Sequence, residues 1–105
     1  MLAFPSNEFG AQAPGSDDCE RAVMHHKVGL DTFPVFDKVV TNGPGSHEVF
    51  QIVKRGTAGG GPPLYVNWNY NKFLVDGDGI PVARYESIDS PIVAEGDIRA
   101  LLGLD

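Results

Sequence analysis

The sequence predicts an α/β domain spanning residues 1–105, with elements in the order β-α-β-α-β-β-α. Three observations carry this. Two runs rich in aromatic and branched residues, 65–75 and 80–85, flank Asp76-Gly77-Asp78-Gly79, and Asp-Gly chemistry between such runs makes a hairpin. Three further segments carry helix start and stop signals. These helical segments are interleaved with short apolar runs, a pattern that buries its faces as helices layered on a sheet.

The elements follow in chain order. Leu2, Ala3 and Phe4 form a short apolar run stopped by Pro5, which reads as a strand end opening into a Gly- and Pro-punctuated loop. Ser16-Asp17-Asp18 supplies a cap and two acids at a helix N-terminus. That helix is expected over 17–27, with Ala22, Val23 and Met24 as its apolar face and Gly29 as its stop. Phe33, Val35, Phe36, Val39 and Val40 are β-prone but interrupted by Pro34, which fits a short or edge strand. Asn42-Gly43-Pro44-Gly45 is a turn, and Ser46 is placed to cap a second helix with Val49, Phe50 and Val53 on one face. Lys54 and Arg55 occupy its last turn, and Gly56 lies just beyond. After the hairpin, Ser90-Pro91 opens a terminal helix with Ile98, Leu101 and Leu102 as its stripe, weakened by Gly96.

Composition narrows the functional classes. A 42% hydrophobic fraction with ten aromatic residues, six Phe, three Tyr and one Trp, fits a globular chain with a modest core. A net charge of −6 argues against nucleic-acid or anionic-membrane partners, which reward clustered Lys and Arg. No apolar run approaches a membrane span, and the first residues lack a signal-peptide pattern. Cys19 is the single cysteine, so an internal disulfide is impossible, which suits a reducing compartment.

Several motifs fail on inspection. Asp76-Gly77-Asp78-Gly79 starts like a calcium loop, but Ile80 and Ser87 stand where ligands belong. His47-Glu48 starts like a zinc-protease motif, but position 51 is Gln. His25 and His26 are adjacent on a helix and point to different sides, so both read as solvated and no metal is expected. The glycine-rich stretch 56–61 runs into Pro62-Pro63 with no Lys-Ser/Thr, and reads as a flexible connection rather than a phosphate loop. Three groups survive: the loop holding Gln12, the pair Trp68-Asn69, and Cys19. Asn67, Asn69 and Asn71 alternate in a strong strand, where Asn is a poor choice, so their face is either solvent or a polar site. Trp68 would point away from them unless the backbone is irregular there.

The decisive pattern is longer. Phe4-Pro5-Ser6-Asn7-Glu8-Phe9-Gly10-x-Gln12-x-Pro14-Gly15 is followed in register by Phe33-Pro34-x-Phe36-x-Lys38-Val39, Asn42-Gly43 and His47. Then come Trp68-Asn69-Tyr70-x-Lys72-Phe73-Leu74-Val75-Asp76, Arg84-Tyr85 and Ser90-Pro91. Over residues 2–102 this resembles a glutathione peroxidase. The resemblance implies a thioredoxin-like fold and reduction of hydrogen peroxide and organic hydroperoxides by a peroxidatic cysteine or selenocysteine. Glutathione or thioredoxin then resets the enzyme as reducing co-substrate, and no other cofactor is implied. By resemblance, Gln12, Trp68 and Asn69 occupy the family's donor positions around the nucleophile. Amide and indole N–H groups there stabilise the departing oxygen, each worth roughly 2–4 kcal/mol of barrier. The resemblance also implies that Trp68-Asn69 lies at the strand's entry, before the backbone becomes regular.

The departures from the family pattern set further expectations. The loop position often occupied by cysteine is Ser6, and the Gln after the Asn is Glu8. The resolving-cysteine region aligns with His25–His26, while Cys19 lies earlier, at a helix N-terminus that would lower its pKa; it reads as an incidental free thiol. The insertion of tetrameric members is absent between Lys54 and Trp68, implying the short-loop, monomeric branch. The peroxidatic residue and a central strand are expected upstream of Met1, which makes the chain an N-terminally truncated domain on this reading. The alternative is an inactive, nucleophile-less family member acting as a binding or regulatory domain. A cytoplasmic location is expected, or an organellar one if a targeting segment precedes Met1.

Overall fold

Pro5 and Pro34 have no amide hydrogen, and they leave the first apolar run little β structure to form. In the computed structural model, which describes residues 1–28, 33–56 and 65–104, Ala3 and Val35 form one isolated parallel bridge. Ala3 N–H donates to the Pro34 carbonyl at 3.0 Å, Phe36 N–H to the Ala3 carbonyl at 2.9 Å, and Val39 N–H to the Pro5 carbonyl at 2.9 Å. The two strands expected at 2–5 and 33–40 are therefore a single bridge flanked by extended backbone, because each proline removes a ladder donor. Phe4 stacks on Phe36 at 4.7 Å, with the rings inclined by only 9°.

The chain divides into two compact units, Met1–His47 and Glu48–Asp105. In the first, helix α1 spans Asp17–Val28. Ser16 caps it as expected, its hydroxyl accepting the Cys19 N–H at 3.2 Å. The expected apolar face is not buried: Ala22 and Val23 are exposed and Met24 is half-buried. Polar ties fix this helix instead. Arg21 donates to the Val35 carbonyl at 3.0 Å and to Asp37 at 2.7 Å, and the Asp17 carboxylate accepts the Lys38 N–H at 2.9 Å. The expected stop at Gly29 lies outside the described residues. Among the described residues of this unit, Phe9 and Val35 are the buried apolar ones, and Ser6, Thr41 and Ser46 are buried as well.

In the second unit, helix α2 runs over Glu48–Gly56. It starts two residues after Ser46, and Gly56 is its last residue rather than the one beyond. Val53 is buried, and Phe50 meets Phe73 edge-on at 6.2 Å. The rest of the glycine-rich stretch, 57–63, lies outside the described residues. Strand β1, Lys72–Val75, pairs antiparallel with β2, Pro81–Tyr85, placing Phe73 opposite Arg84 and Lys72 opposite Tyr85. The expected hairpin is present. Asp76 closes its turn, its carboxylate accepting the N–H groups of Asp78 and Ile80, both at 2.9 Å, while Gly79 supplies the left-handed residue at φ 82°.

Alternation along β1 gives the hairpin two working faces. Phe73 and Arg84 share the face that meets α2, with the guanidinium 5.2 Å from the Phe73 ring centre. Lys72 and Tyr85 share the other. There the Tyr85 hydroxyl donates to Asp97, and Lys72 Nζ donates to the carbonyls of Glu86 at 3.1 Å and Asp89 at 2.6 Å. Asp97 belongs to the last element, which differs from the single helix expected. A 3-10 turn, Pro91–Ala94, leads into helix α3, Glu95–Leu101. Ser90 takes the N-cap position with Pro91 next, but its side chain makes no cap hydrogen bond. The stripe of Ile98, Leu101 and Leu102 stays 40%, 47% and 65% exposed. Among the described residues no helix is long and apolar enough to cross a membrane.

Candidate active site

The loop carrying Gln12 is held by its own polar groups. Asn7 Oδ1 accepts the Ala13 N–H at 3.0 Å, and Glu20 accepts the Gly15 N–H at 2.7 Å. Lys38 Nζ donates to the Ala13 carbonyl at 3.1 Å and also to the Gly15 carbonyl. Before Gln12 the chain turns through two consecutive left-handed residues, Gly10 at φ 70° and Ala11 at φ 49°. Gln12 itself is exposed. A left-handed alanine costs about 1–2 kcal/mol, so the surrounding bonds must over-determine the conformation.

The same loop is tied to the 41–42 backbone through Glu8. One carboxylate oxygen accepts the Ser6 hydroxyl at 2.7 Å, the Thr41 N–H at 2.7 Å and the Thr41 hydroxyl at 2.6 Å; the other accepts the Asn42 N–H at 3.1 Å. Partial burial pushes this carboxyl up, but the bonds from Thr41, Ser6 and Asn42 together outweigh it and hold it below its ordinary 4.5. Ser6 and Glu8, the two departures from the motif, are thus bonded to each other. Asn7, Glu8, Lys38, Val39 and Val40 line a shallow groove of about 300 Å³ in this unit.

Trp68 and Asn69 belong to the second unit and lie in a bend and turn that precede β1, not within a regular strand. The alternating strand expected over 67–71 does not form. Tyr70 is left-handed at φ 60°, and the Asn71 amide donates to the Trp68 carbonyl at 2.8 Å and to Asn67 Oδ1 at 3.2 Å. Side-chain amides have displaced the ladder, as Asn does when backbone groups are within reach. Trp68 is 46% exposed and Asn69 half-buried. Arg84 steadies this turn by donating to the Tyr65 carbonyl at 2.6 Å and to Asn71 Oδ1 at 3.3 Å. Its burial holds the guanidinium below its usual pKa, with Glu86 opposing. The structure therefore puts Trp68 and Asn69 side by side in one turn and Gln12 in a strained loop of the other unit. Cys19 is exposed in the first turn of α1. Among the described residues no three His, Cys, Asp or Glu side chains are grouped to hold a metal ion.

Lys38 and Arg84 stood in the motif as matching letters without a role. Each acts on carbonyls far away in the sequence, Lys38 on those of Ala13 and Gly15, 25 and 23 residues back, and Arg84 on that of Tyr65, 19 residues back, so no local signal singles them out.

The model of the glutathione peroxidase family matches residues 1–54. The chain belongs to the glutathione peroxidase family. It is 44% identical over 102 residues to the chloroplastic phospholipid hydroperoxide glutathione peroxidase of Pisum sativum, covering 97% of this chain and 42% of that protein. It is 38% identical over 107 residues to the hydroperoxy fatty acid reductase gpx1 of Synechocystis, covering 97% of this chain and 63% of that one. The crystal structure of Trgpx in apo form superposes with a TM-score of 0.74 at 28% identity, over 97% of this chain and 56% of that one. The fold is accordingly the α/β, thioredoxin-like fold of glutathione peroxidases. The chain spans 42% to 63% of the length of these curated family relatives.

Proposed function

We propose that this chain contributes to a thiol peroxidase that reduces hydrogen peroxide and organic hydroperoxides, with Gln12, Trp68 and Asn69 as hydrogen-bond donors. One observation carries the reading. Among the described residues, Ala11 and Tyr70 are the only non-glycine residues with positive φ, and they directly adjoin Gln12 and Asn69. Strain of this kind persists where function requires a fixed side-chain position.

In the reaction, a thiolate or selenolate attacks one peroxide oxygen and the O–O bond breaks. The chalcogen is oxidised to a sulfenic or selenenic acid, and the other oxygen takes a proton and leaves as alcohol or water. Two thiol equivalents, from glutathione or from a thioredoxin dithiol, return the nucleophile to its reduced form and yield a disulfide and water. The chain's donors stabilise charge on the leaving oxygen, and no metal or organic cofactor is needed for that step. Cys19 is not the nucleophile of this reading. The names of the pea and Synechocystis relatives support lipid hydroperoxides as substrates. We further propose a monomer in the cytoplasm or, as the chloroplastic pea relative suggests, in an organelle.

The test is hydroperoxide-dependent oxidation of glutathione and of thioredoxin by the full-length protein. Gln12→Ala and Asn69→Ala should each lower kcat by roughly 10²–10³, as loss of one preorganised donor does. Unchanged kcat in both variants would overturn the donor assignment, and complete loss in Cys19→Ser would make Cys19 the nucleophile instead.

A further inference from the structure

Gln12 lies between a left-handed residue and a residue whose peptide groups are held on both sides. Ala11 precedes it at φ 49°. Ala13 follows, with its N–H on Asn7 Oδ1 at 3.0 Å and its carbonyl on Lys38 Nζ at 3.1 Å. Lys38 Nζ also reaches the Gly15 carbonyl, so one ammonium gathers two carbonyls across Pro14. Pro14 has no N–H with which to hold the loop itself. The Lys38 backbone is anchored in turn, its N–H donating to the Asp17 carboxylate at 2.9 Å in the first turn of α1. On its other side, Val39 N–H bonds the Pro5 carbonyl at 2.9 Å, at the start of the same loop.

We infer that Lys38 is a positioning residue of the peroxidase site, holding the 13–15 backbone so that Gln12 keeps its place; this rests on Gln12 being a donor. An ammonium suits the task. It offers three donors and no acceptor, so it satisfies two converging carbonyls without competing for the loop's N–H groups. Hydrogen bonds from a charged donor are also the stronger kind. A neutral side chain at position 38 would leave the two carbonyls to water and Ala11 free to relax out of its left-handed conformation. Arginine would reach the same carbonyls with a larger, planar group and restore part of the restraint.

The experiment combines amide hydrogen exchange with steady-state kinetics on Lys38→Met, Lys38→Gln and Lys38→Arg. Exchange at Ala13 and Gly15 should rise roughly tenfold or more in Lys38→Met, stay near the parent value at Phe73 and Leu74 in β1, and be partly restored in Lys38→Arg. Hydroperoxide kcat should fall with little change in the KM for the reducing thiol. Gln12→Ala combined with Lys38→Met should be hardly slower than Gln12→Ala alone, since residues acting as a unit are not additive. Unchanged exchange at Ala13 and Gly15 overturns the inference, and so does an equal rise at β1. Should Lys38→Met not fold, Lys38→Gln carries the same comparisons. If Gln12→Ala leaves kcat intact while exchange behaves as expected, the donor assignment fails and the Lys38 restraint on the loop stands.

Discussion

Glu8→Gln isolates the charge from the shape of the tie between the Gln12 loop and the 41–42 backbone. The wild-type carboxylate accepts four hydrogen bonds, three of them at one oxygen. A glutamine can keep its carbonyl oxygen at that crowded position, but its NH₂ group then faces the Asn42 N–H, which loses its acceptor. The other three bonds become neutral, each weaker by about 1 kcal/mol than its charged counterpart. Glu8 is exposed over part of its surface, so water replaces some of this. About 1–2 kcal/mol of destabilisation at pH 7 is expected, or a fall in Tm of about 4–8 °C per kcal/mol for a domain near this size.

The pH dependence follows from the direction of the shift. Glu8 titrates below its ordinary 4.5 in the folded chain, so folding favours the ionised form. Its contribution is therefore complete above about pH 4.5 and is lost as the pH falls through the lower folded-state value. Thermal melts of wild type and Glu8→Gln at a series of pH values should show a gap that is constant near neutrality and closes in acid. Equal Tm values at pH 7 would refute the argument, and so would a gap that persists unchanged through strongly acidic pH.

Other perturbations probe the second unit. Phe73→Ala removes both the Phe50 edge contact and the Arg84 stacking surface; because Phe73 is half-buried, a loss of about 2 kcal/mol in urea unfolding is expected, below the 3–5 kcal/mol of a fully buried site. Gly79→Ala has open space around the new Cβ, so its cost is the left-handed conformation alone, about 1–2 kcal/mol, and a neutral result would show that the turn changes type. Tyr70→Gly relieves a φ of 60° at a 76% exposed residue; Tm should hold or rise slightly while hydroperoxide kcat falls, and unchanged kcat would mean that the strain serves no positioning role. Tyr85 hydrogen-bonds Asp97, and that bond, helped by partial burial and the nearby charge, pushes its hydroxyl up to about 12. In an ultraviolet titration of tyrosinate, Tyr85→Phe should delete a transition at about pH 12, and a titration curve unchanged there would refute the assignment.

Local chemistry was legible in the sequence because it acts over a few residues. Ser16 as a cap and Asp76 and Gly79 closing a hairpin depend on neighbours within a few residues. The family pattern placed Trp68-Asn69 in irregular backbone at the entrance to a strand, and the structure agrees. What failed were inferences that needed partners distant in sequence. Ala22 and Val23 of the face assigned to α1, and the stripe assigned to α3, remain exposed, because burial depends on what a face meets and not on its periodicity. Strands at 2–5 and 33–40 shrank to one bridge because two prolines act on a shared ladder, a conflict visible only once the segments are paired.

Sequence alone thus determined the family, the α/β class, the hairpin, and the residue types offered as donors, all of which follow from motif and local propensity. Tertiary structure decided how the segments carrying Gln12, Trp68 and Asn69 are held. Glu8 reaches Thr41 across 33 residues, Lys38 reaches Gly15 across 23, and Arg84 reaches Tyr65 across 19. A charged side chain chooses among many backbone carbonyls and amides of nearly equal chemistry, and only the folded path of the chain brings one of them within hydrogen-bonding distance.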